Sequence, residues 1–237
     1  MHDKNTVKNI LKNQGALTID MCEAFVRGEP KILYADDCAV FLIHGCGVYM
    51  LWAENTDSAK NALRVVKTVP HLCVVHGMPA YNAYVQTYGK QHEDGFCTQY
   101  CWSKREKFAV PSDFTFRPMR MDEIPFIQEH YHLSNNTEYL KWRISENELH
   151  GAVSPGGNIM GFIGSHSDGS IGMLEVLPEY RRRGIGTALE YYQMNRHMER
   201  GWTPYGQVFL DNPESHSLQG KVGMDFSKDI ICWMGDD

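Results

Sequence analysis

Apolar positions recur along the chain in short blocks whose period changes repeatedly. Val7, Ile10 and Leu11, then Ile19, Cys22, Phe25 and Val26, fall at helical spacing on either side of Gly15 and predict one or two helices over 6–27. Beyond Gly28 and Pro30 the blocks shorten to strand length, at 32–34, 39–43 and 48–53, with His44-Gly45-Cys46-Gly47 as a hairpin turn. A helix over 55–66 led by Asn55 or Thr56, a strand at 72–75, a helix over 79–88 and a strand at 96–102 follow. Together they make an α/β unit of ordinary domain size.

The polar run KREKFAVPSDF around Pro111-Ser112-Asp113 interrupts this pattern and marks the expected boundary between domains 1–110 and 111–237. Past it the pattern predicts a strand at 114–117, helices over 122–132 and 137–146, and strands at 149–153 and 159–165 separated by Ser154-Pro155-Gly156-Gly157. A strand at 171–177 is stopped by Pro178, and a helix begins near Gly184 after three arginines. A strand at 205–210, a helix over 213–222 and a strand at 230–234 close the chain.

The strand, turn and helix start at 170–186, SIGMLEVLPEYRRRGIG, carry the clearest chemistry. Gly184 and Gly186 keep side chains off the backbone, and the first N–H groups of a helix point outward, so a phosphate or pyrophosphate is the expected ligand. A dinucleotide fingerprint needs G-x-G-x-x-G directly after the strand. Here its third position is Leu189 and Gly184 comes well after the strand has stopped, although Asp211 at the end of a later strand keeps that alternative open.

Composition narrows the class. The formal charge is −6, and no basic face of useful size exists outside Arg181 to Arg183, which argues against a nucleic-acid binder. Seven cysteines, an odd number, show no paired framework and suit a reducing compartment, with cytoplasm the default. No apolar run is long enough for a membrane span, and the first residues carry no signal or arginine-rich transit pattern. His71, Cys73, His76, Cys97 and Cys101 fit no zinc-ligand spacing and sit in apolar strand patterns, so no metal is expected.

Val176-Leu177-Pro178-Glu179-Tyr180-Arg181-Arg182-Arg183-Gly184-Ile185-Gly186 resembles the pyrophosphate motif of the GCN5-related N-acyltransferase (GNAT) superfamily, with Arg181, Gly184 and Gly186 on the motif positions. LPEYR followed by Gly201, Trp202 and Tyr205 resembles the FR47-like, glycine N-acyltransferase-like branch. The resemblance implies an α/β (α+β) acyltransferase fold with a mixed central sheet, preceded by a smaller α/β domain that is a degenerate copy of it. It implies acetyl-CoA or another acyl-CoA as co-substrate, with cofactor contacts at Leu174, Val176, Arg181, Arg182, Arg183, Gly184, Ile185, Gly186 and Thr187. A second segment, Asn212 to Met224, resembles the family's N-x-x-S-x-x-L-Y-x-K-x-G-F pattern and adds Asn212 and Ser215. Asn212 followed by Pro213 also reads locally as a helix cap, with Leu218 and Val222 on a core stripe.

Two positions depart from the pattern. Gln219 stands where many relatives have a tyrosine that protonates the departing thiolate, and glutamine supplies no proton at neutral pH. Ser170 stands about where the glycine N-acyltransferase branch has a glutamate base. Glu175 is the nearest carboxylate in sequence to the expected thioester and is the candidate catalytic base; the alternative for it is a half-buried strand-end carboxylate with a partner. His166 is a lesser candidate, and a backbone N–H at Val176 would meet the oxyanion. The expected function is acyl transfer to the amine of a small molecule or peptide by direct attack on the thioester; the alternative is a non-catalytic acyl-CoA-binding or sensing module. The acceptor, the acyl-chain length and the oligomeric state are not readable from the sequence.

Overall fold

A computed structural model describes residues 2–89, 95–131 and 136–235. His132, the expected last residue of one helix, lies outside them. In chain order the elements are α1 (Lys4–Lys12), α2 (Ile19–Arg27), β1 (Lys31–Ala35), β2 (Ala39–Ile43), β3 (Tyr49–Ala53), α3 (Thr56–Leu63), β4 (Leu72–His76), α4 (Met78–Tyr88), β5 (Phe96–Cys101), β6 (Thr115–Pro118), α5 (Ile124–His130), α6 (Thr137–Ser145), β7 (Leu149–Val153), β8 (Ile159–Ser165), β9 (Ile171–Val176), α7 (Ile185–Glu199), β10 (Tyr205–Phe209), α8 (Pro213–Val222) and β11 (Asp225–Gly235). The hydrophobic pattern anticipates all of them to within a few residues. The largest difference is β11, which begins at Asp225 rather than at Ile230, and its early residues pair with β5 across a register shift between Phe226 and Ile230.

The chain forms two compact units, Met1–Trp102 with Tyr205–Asp237, and Ser103–Pro204. These are units of contact. The expected domain boundary at 110/111 lies at the polar run before Phe114. In the first unit the strand order is β1-β2-β3-β4-β11-β5-β10. Here β3 and β4 are parallel, joined through α3, and β11 lies antiparallel to both β4 and β5. Alternate residues of the strands serve two cores: Phe41, Leu51, Val75 and Met234 pack with Ala59, Leu63 and Tyr84 of α3 and α4, while Val40, Leu42, Met50, Val74 and Ile231 pack with Val7, Leu11 and Met21 of the N-terminal helices. Both faces are covered, which is why β2 and β4 read as continuous apolar runs rather than alternating ones.

The residues considered for metal binding belong to this unit; Cys73, His76, Cys97 and Cys101 are buried and His71 is exposed. His76 is fully buried, with Nε2 2.8 Å from Asp20 Oδ2 and Nδ1 3.0 Å from the Leu51 carbonyl. Burial pushes the Cys97 and Cys101 thiols up to about 12. Among the described residues no group of three or more His, Cys, Asp or Glu side chains could hold a metal ion.

The second unit is an antiparallel sheet ordered β9-β8-β7-β6. On one face Phe162 and Met173 pack with Ile124, Ile127, Tyr131 and Leu140 from α5, its C-terminal end and α6. On the other face lies α7, whose Gln193 and His197 reach Ser165 of β8 at 2.7 Å each. The β8–β9 register shifts between Phe162 and Gly164, so that Met173 and Leu174 together stand opposite Ile163. Met173 takes a left-handed φ of 53° there, the signature of a β-bulge.

Candidate active site

The strand-to-helix connection after β9 carries the predicted phosphate cradle. Pro178 ends the strand, a single 3-10 turn follows over Pro178–Tyr180, and α7 starts at Ile185. Gly184 is its N-cap, with φ 81° and no side chain capping the helix. A Cβ at Gly184 would meet nothing within 4 Å, so glycine is required there by the left-handed backbone rather than by crowding. The first N–H groups of α7, at Ile185, Gly186 and Thr187, have no partner one turn back within the helix, and the helix dipole adds to their attraction for an anion. Ile185, Ala188 and Leu189 are buried and fix the helix against the sheet. Arg182 and Arg183 are exposed in the connection; Arg182 has φ 60°, and the Arg183 guanidinium lies 5.6 Å from the centre of the Tyr180 ring. An uncapped helix start flanked by long cationic side chains can receive an anion.

Arg181 and Glu175 are brought together, with consequences for both. Arg181 Nη2 lies 3.1 Å from Glu175 Oε1, and its Nε donates to the Val176 carbonyl at 2.9 Å. Glu175 is therefore half-buried at the strand end with an ion-pair partner. The pair is open to water, with side-chain exposures of 58% and 25%, so it is a weak tie of at most about 1 kcal/mol. Leu177 N–H bonds the Met160 carbonyl at 3.0 Å, so by strand alternation the N–H of Val176 points to the edge of β9 away from β8.

Asn212 and Ser215 lie in the other compact unit. Asn212 Oδ1 accepts from Ser215 N–H at 3.0 Å, which is the helix cap read from the sequence. Gln219 is 2% exposed, and its Oε1 has no hydrogen-bond partner among the described residues. It is more deeply buried than Leu218, which is only partly covered, so the expected Leu218–Val222 stripe is shifted toward Gln219 and Val222.

Sequence reasoning did not find the aromatic groups that face β9. Tyr131 ends α5 with its hydroxyl at the backbone N–H of Met173, and burial pushes it up to about 12, so it is a neutral phenol at physiological pH. Tyr139 of α6 places its hydroxyl 3.1 Å from His166 Nδ1. Nothing in the local pattern separates these tyrosines from core residues. A cleft of about 650 Å³ opens beside the strand end, lined in part by Arg117, Arg120, Glu123, Phe126, Leu177 and Tyr180. Glu123 binds both guanidinium nitrogens of Arg117, at 2.6 and 2.9 Å, and these bonds hold its carboxyl below the usual range against the opposing effect of burial.

Residues 115–224 match the sequence model of the Acetyltransferase (GNAT) family. The chain thus carries a domain of the GNAT superfamily, a class of acyl-CoA-dependent transferases, and the uncapped helix start and its arginines lie within it. No curated protein matches the chain in sequence. Its fold is shared with solved structures at low identity. A Drosophila protein solved by a structural-genomics consortium is 17% identical with a TM-score of 0.63, over 97% of this chain and 94% of that one. A GCN5-related N-acetyltransferase from Kribbella flavida is 12% identical with a TM-score of 0.57, over 94% and 95%. A GNAT-family acetyltransferase from Colwellia psychrerythraea is 11% identical with a TM-score of 0.55, over 98% and 96%.

Proposed function

We propose that this protein is an acyl-CoA-dependent N-acyltransferase, with acetyl-CoA as donor, that acylates the amine of a small molecule or peptide by direct attack on the thioester. The observation that carries this reading is the glycine-led, uncapped start of α7 at the end of a bulged strand, inside the segment that matches the GNAT family. In it, the N–H groups of Ile185, Gly186 and Thr187 and the side chains of Arg181, Arg182 and Arg183 hold the diphosphate, while the backbone of Leu174 and Val176 holds the pantetheine arm and meets the oxyanion. Asn212 and Ser215 are proposed cofactor contacts on the resemblance of the second motif. Acyl-CoA supplies the activated thioester, and catalysis rests mainly on positioning and backbone electrostatics.

Glu175 is the proposed catalytic carboxylate, available once the diphosphate draws Arg181 away from it. Glu175→Gln is expected to lower kcat by about 10²-fold or more, the usual contribution of a general base. CoA affinity should change by less than about fivefold, because an exposed ion pair is worth at most about 1 kcal/mol. An unchanged kcat removes Glu175 from the mechanism.

We read residues 1–110 as a degenerate copy of the domain at 111–237. In support, the β3–α3 connection has the corresponding strand-to-helix form but no glycine, and Asn55 Oδ1 takes the Ser58 N–H at 2.9 Å, leaving less of the helix start open to an anion. All seven cysteines are free, which suits a cytoplasmic location. No described helix is long and apolar enough to cross a membrane. Neither nucleic acid nor membrane is a proposed partner.

A second reading, a non-catalytic acyl-CoA-binding or sensing module, is favoured by Gln219 in place of a proton-donating tyrosine. Thermal-shift titration with CoA, beside thiol release from acetyl-CoA and longer acyl-CoAs with a panel of amines, tests both. CoA stabilisation with thiol release on one amine class supports the enzyme; stabilisation without release supports the module. No stabilisation by CoA removes the cofactor assignment.

A further inference from the structure

Acylation of an ammonium group takes two protons from its nitrogen; at neutral pH one of them ends on the released thiol and one in solution. The free amine is an ammonium ion and must lose one proton before its nitrogen can attack; the nitrogen of the resulting adduct carries a second, which leaves as the C–S bond breaks. Glu175 is one carboxylate, tied to Arg181, and can accept one of them. The thiolate can leave unprotonated, since a thiol has a pKa of about 8.5, and takes up one proton afterwards.

The bulge in β9 brings a second titratable group to the same side of the sheet. Gly172 stands opposite Gly164 and Glu175 opposite Phe162, two β8 residues that share a face. Gly172 and Glu175 are three residues apart and would face opposite sides of a regular strand; the extra residue at Met173–Leu174 puts them on one side. Their separation along the strand is that of two β8 residues, about 7 Å. The imidazole of His166 lies across Gly172: a Cβ there would come within 2.3 Å of Nε2 and 2.4 Å of Cδ2. Only glycine at 172 admits the ring.

Tyr139 holds the ring in place. Its hydroxyl oxygen accepts from Ser167 N–H at 3.3 Å and lies 3.1 Å from His166 Nδ1. With Nδ1–H donating to that oxygen, the lone pair of the imidazole is on Nε2, the atom that lies against β9. Burial pushes the His166 pKa down, Asp168 opposes this shift and Arg143 adds to it, so the ring is neutral at physiological pH and its Nε2 lone pair is free of a proton. Tyr131, at the Met173 N–H, is a neutral phenol on the same side.

We propose that His166, positioned by Tyr139, accepts the first proton of the incoming ammonium group at Nε2, and that Glu175 accepts the second from the adduct. In the first step an N–H bond of the ammonium breaks and an Nε2–H bond forms, giving a free amine and an imidazolium. In the second the amine's lone pair forms the N–C bond, the adduct's extra N–H proton passes to Glu175, and the C–S electron pair leaves with the thiolate. The imidazolium then returns its proton to water, and protonated Glu175 passes its proton through solvent to the released thiolate. This assignment rests on the N-acyltransferase reading above.

The test is thiol release with acetyl-CoA and the amine panel for the wild type, His166→Gln and Tyr139→Phe, as pH profiles of kcat/KM, with CoA stabilisation measured on each. His166→Gln is expected to lose about 10²-fold in kcat/KM near pH 7, to recover activity at higher pH as the amine deprotonates in solution, and to keep its stabilisation by CoA. Tyr139→Phe should displace the acidic limb of the profile while retaining most of the maximal rate. A His166→Gln enzyme within twofold of the wild type across the profile, or one whose loss is independent of pH, overturns the assignment while leaving the transferase reading intact. Absence of thiol release by the wild type with every amine overturns both.

Discussion

At the scale of single residues, the polar groups buried around β9 and α7 do different jobs. Arg143 donates to the Ser165 carbonyl at 2.9 Å, and Gln193 and His197 meet the Ser165 hydroxyl, so these side chains tie β8 to α6 and α7. His150 on β7 is the exception. It is 1% exposed, neither ring nitrogen has a hydrogen-bond partner among the described residues, and burial, followed by the charges of Arg196 and Arg200, brings its pKa down to about 3. The folded protein therefore holds it neutral at pH values where the unfolded chain protonates it. The stability this provides is complete above the unfolded pKa of about 6.5 and is lost as pH falls from there toward about 3, at up to about 1.4 kcal/mol per pH unit. His150→Phe, placed beside the Tyr192 ring 5.4 Å away, should flatten that dependence. Urea unfolding of both proteins between pH 7 and 4 measures it, and parallel slopes would show that His150 stays neutral in neither state or in both.

At the scale of elements, helix starts differ in how their first N–H groups are met. Asp3, Asn55, Asn136 and Asn212 cap their own helices with side-chain oxygens, and the carboxylate of Asp229 takes the first N–H of α4 at 3.2 Å. The starts of α2, α5 and α7 have no such side-chain cap; among them only α7 is led by a glycine, and it is the longest described helix. Gly184→Ala forces a Cβ onto a left-handed backbone and is expected to cost about 1 kcal/mol of stability and at least tenfold in CoA affinity. Gly184→Asn tolerates the backbone better and supplies a capping oxygen, so it should recover the stability and still bind CoA poorly. Calorimetric titration with CoA and thermal melts of the two variants check this; an alanine variant that binds CoA normally would place the anion elsewhere.

At the scale of the whole chain, β11 pairs with both β4 and β5, and β10 pairs with β5, so the C-terminal segment completes the N-terminal unit. Residues 111–237 expressed alone would leave β10 and β11 without those partners and should not fold, although they contain the whole segment that matches the GNAT family. Circular dichroism and proton NMR of the fragment decide this, a dispersed spectrum being the contrary result. Fusing Trp102 to Tyr205 through a short linker, without 103–204, should by contrast retain the first unit. The hydrophobic period was enough to place the strands and helices, because burial on one or two faces leaves its mark at every second or every third to fourth residue. Glycine, arginine and asparagine at fixed spacing were enough to mark a proposed phosphate cradle and a capped helix, because both are made within a few consecutive residues. The insertion of β11 between β4 and β5, the tie of Arg181 to Glu175, and the placement of Tyr131, Tyr139 and His166 beside one bulged strand join positions far apart in sequence or depend on a register shift of one residue. A one-residue bulge leaves no periodic trace yet reverses which side chains share a face, and only tertiary packing decides that.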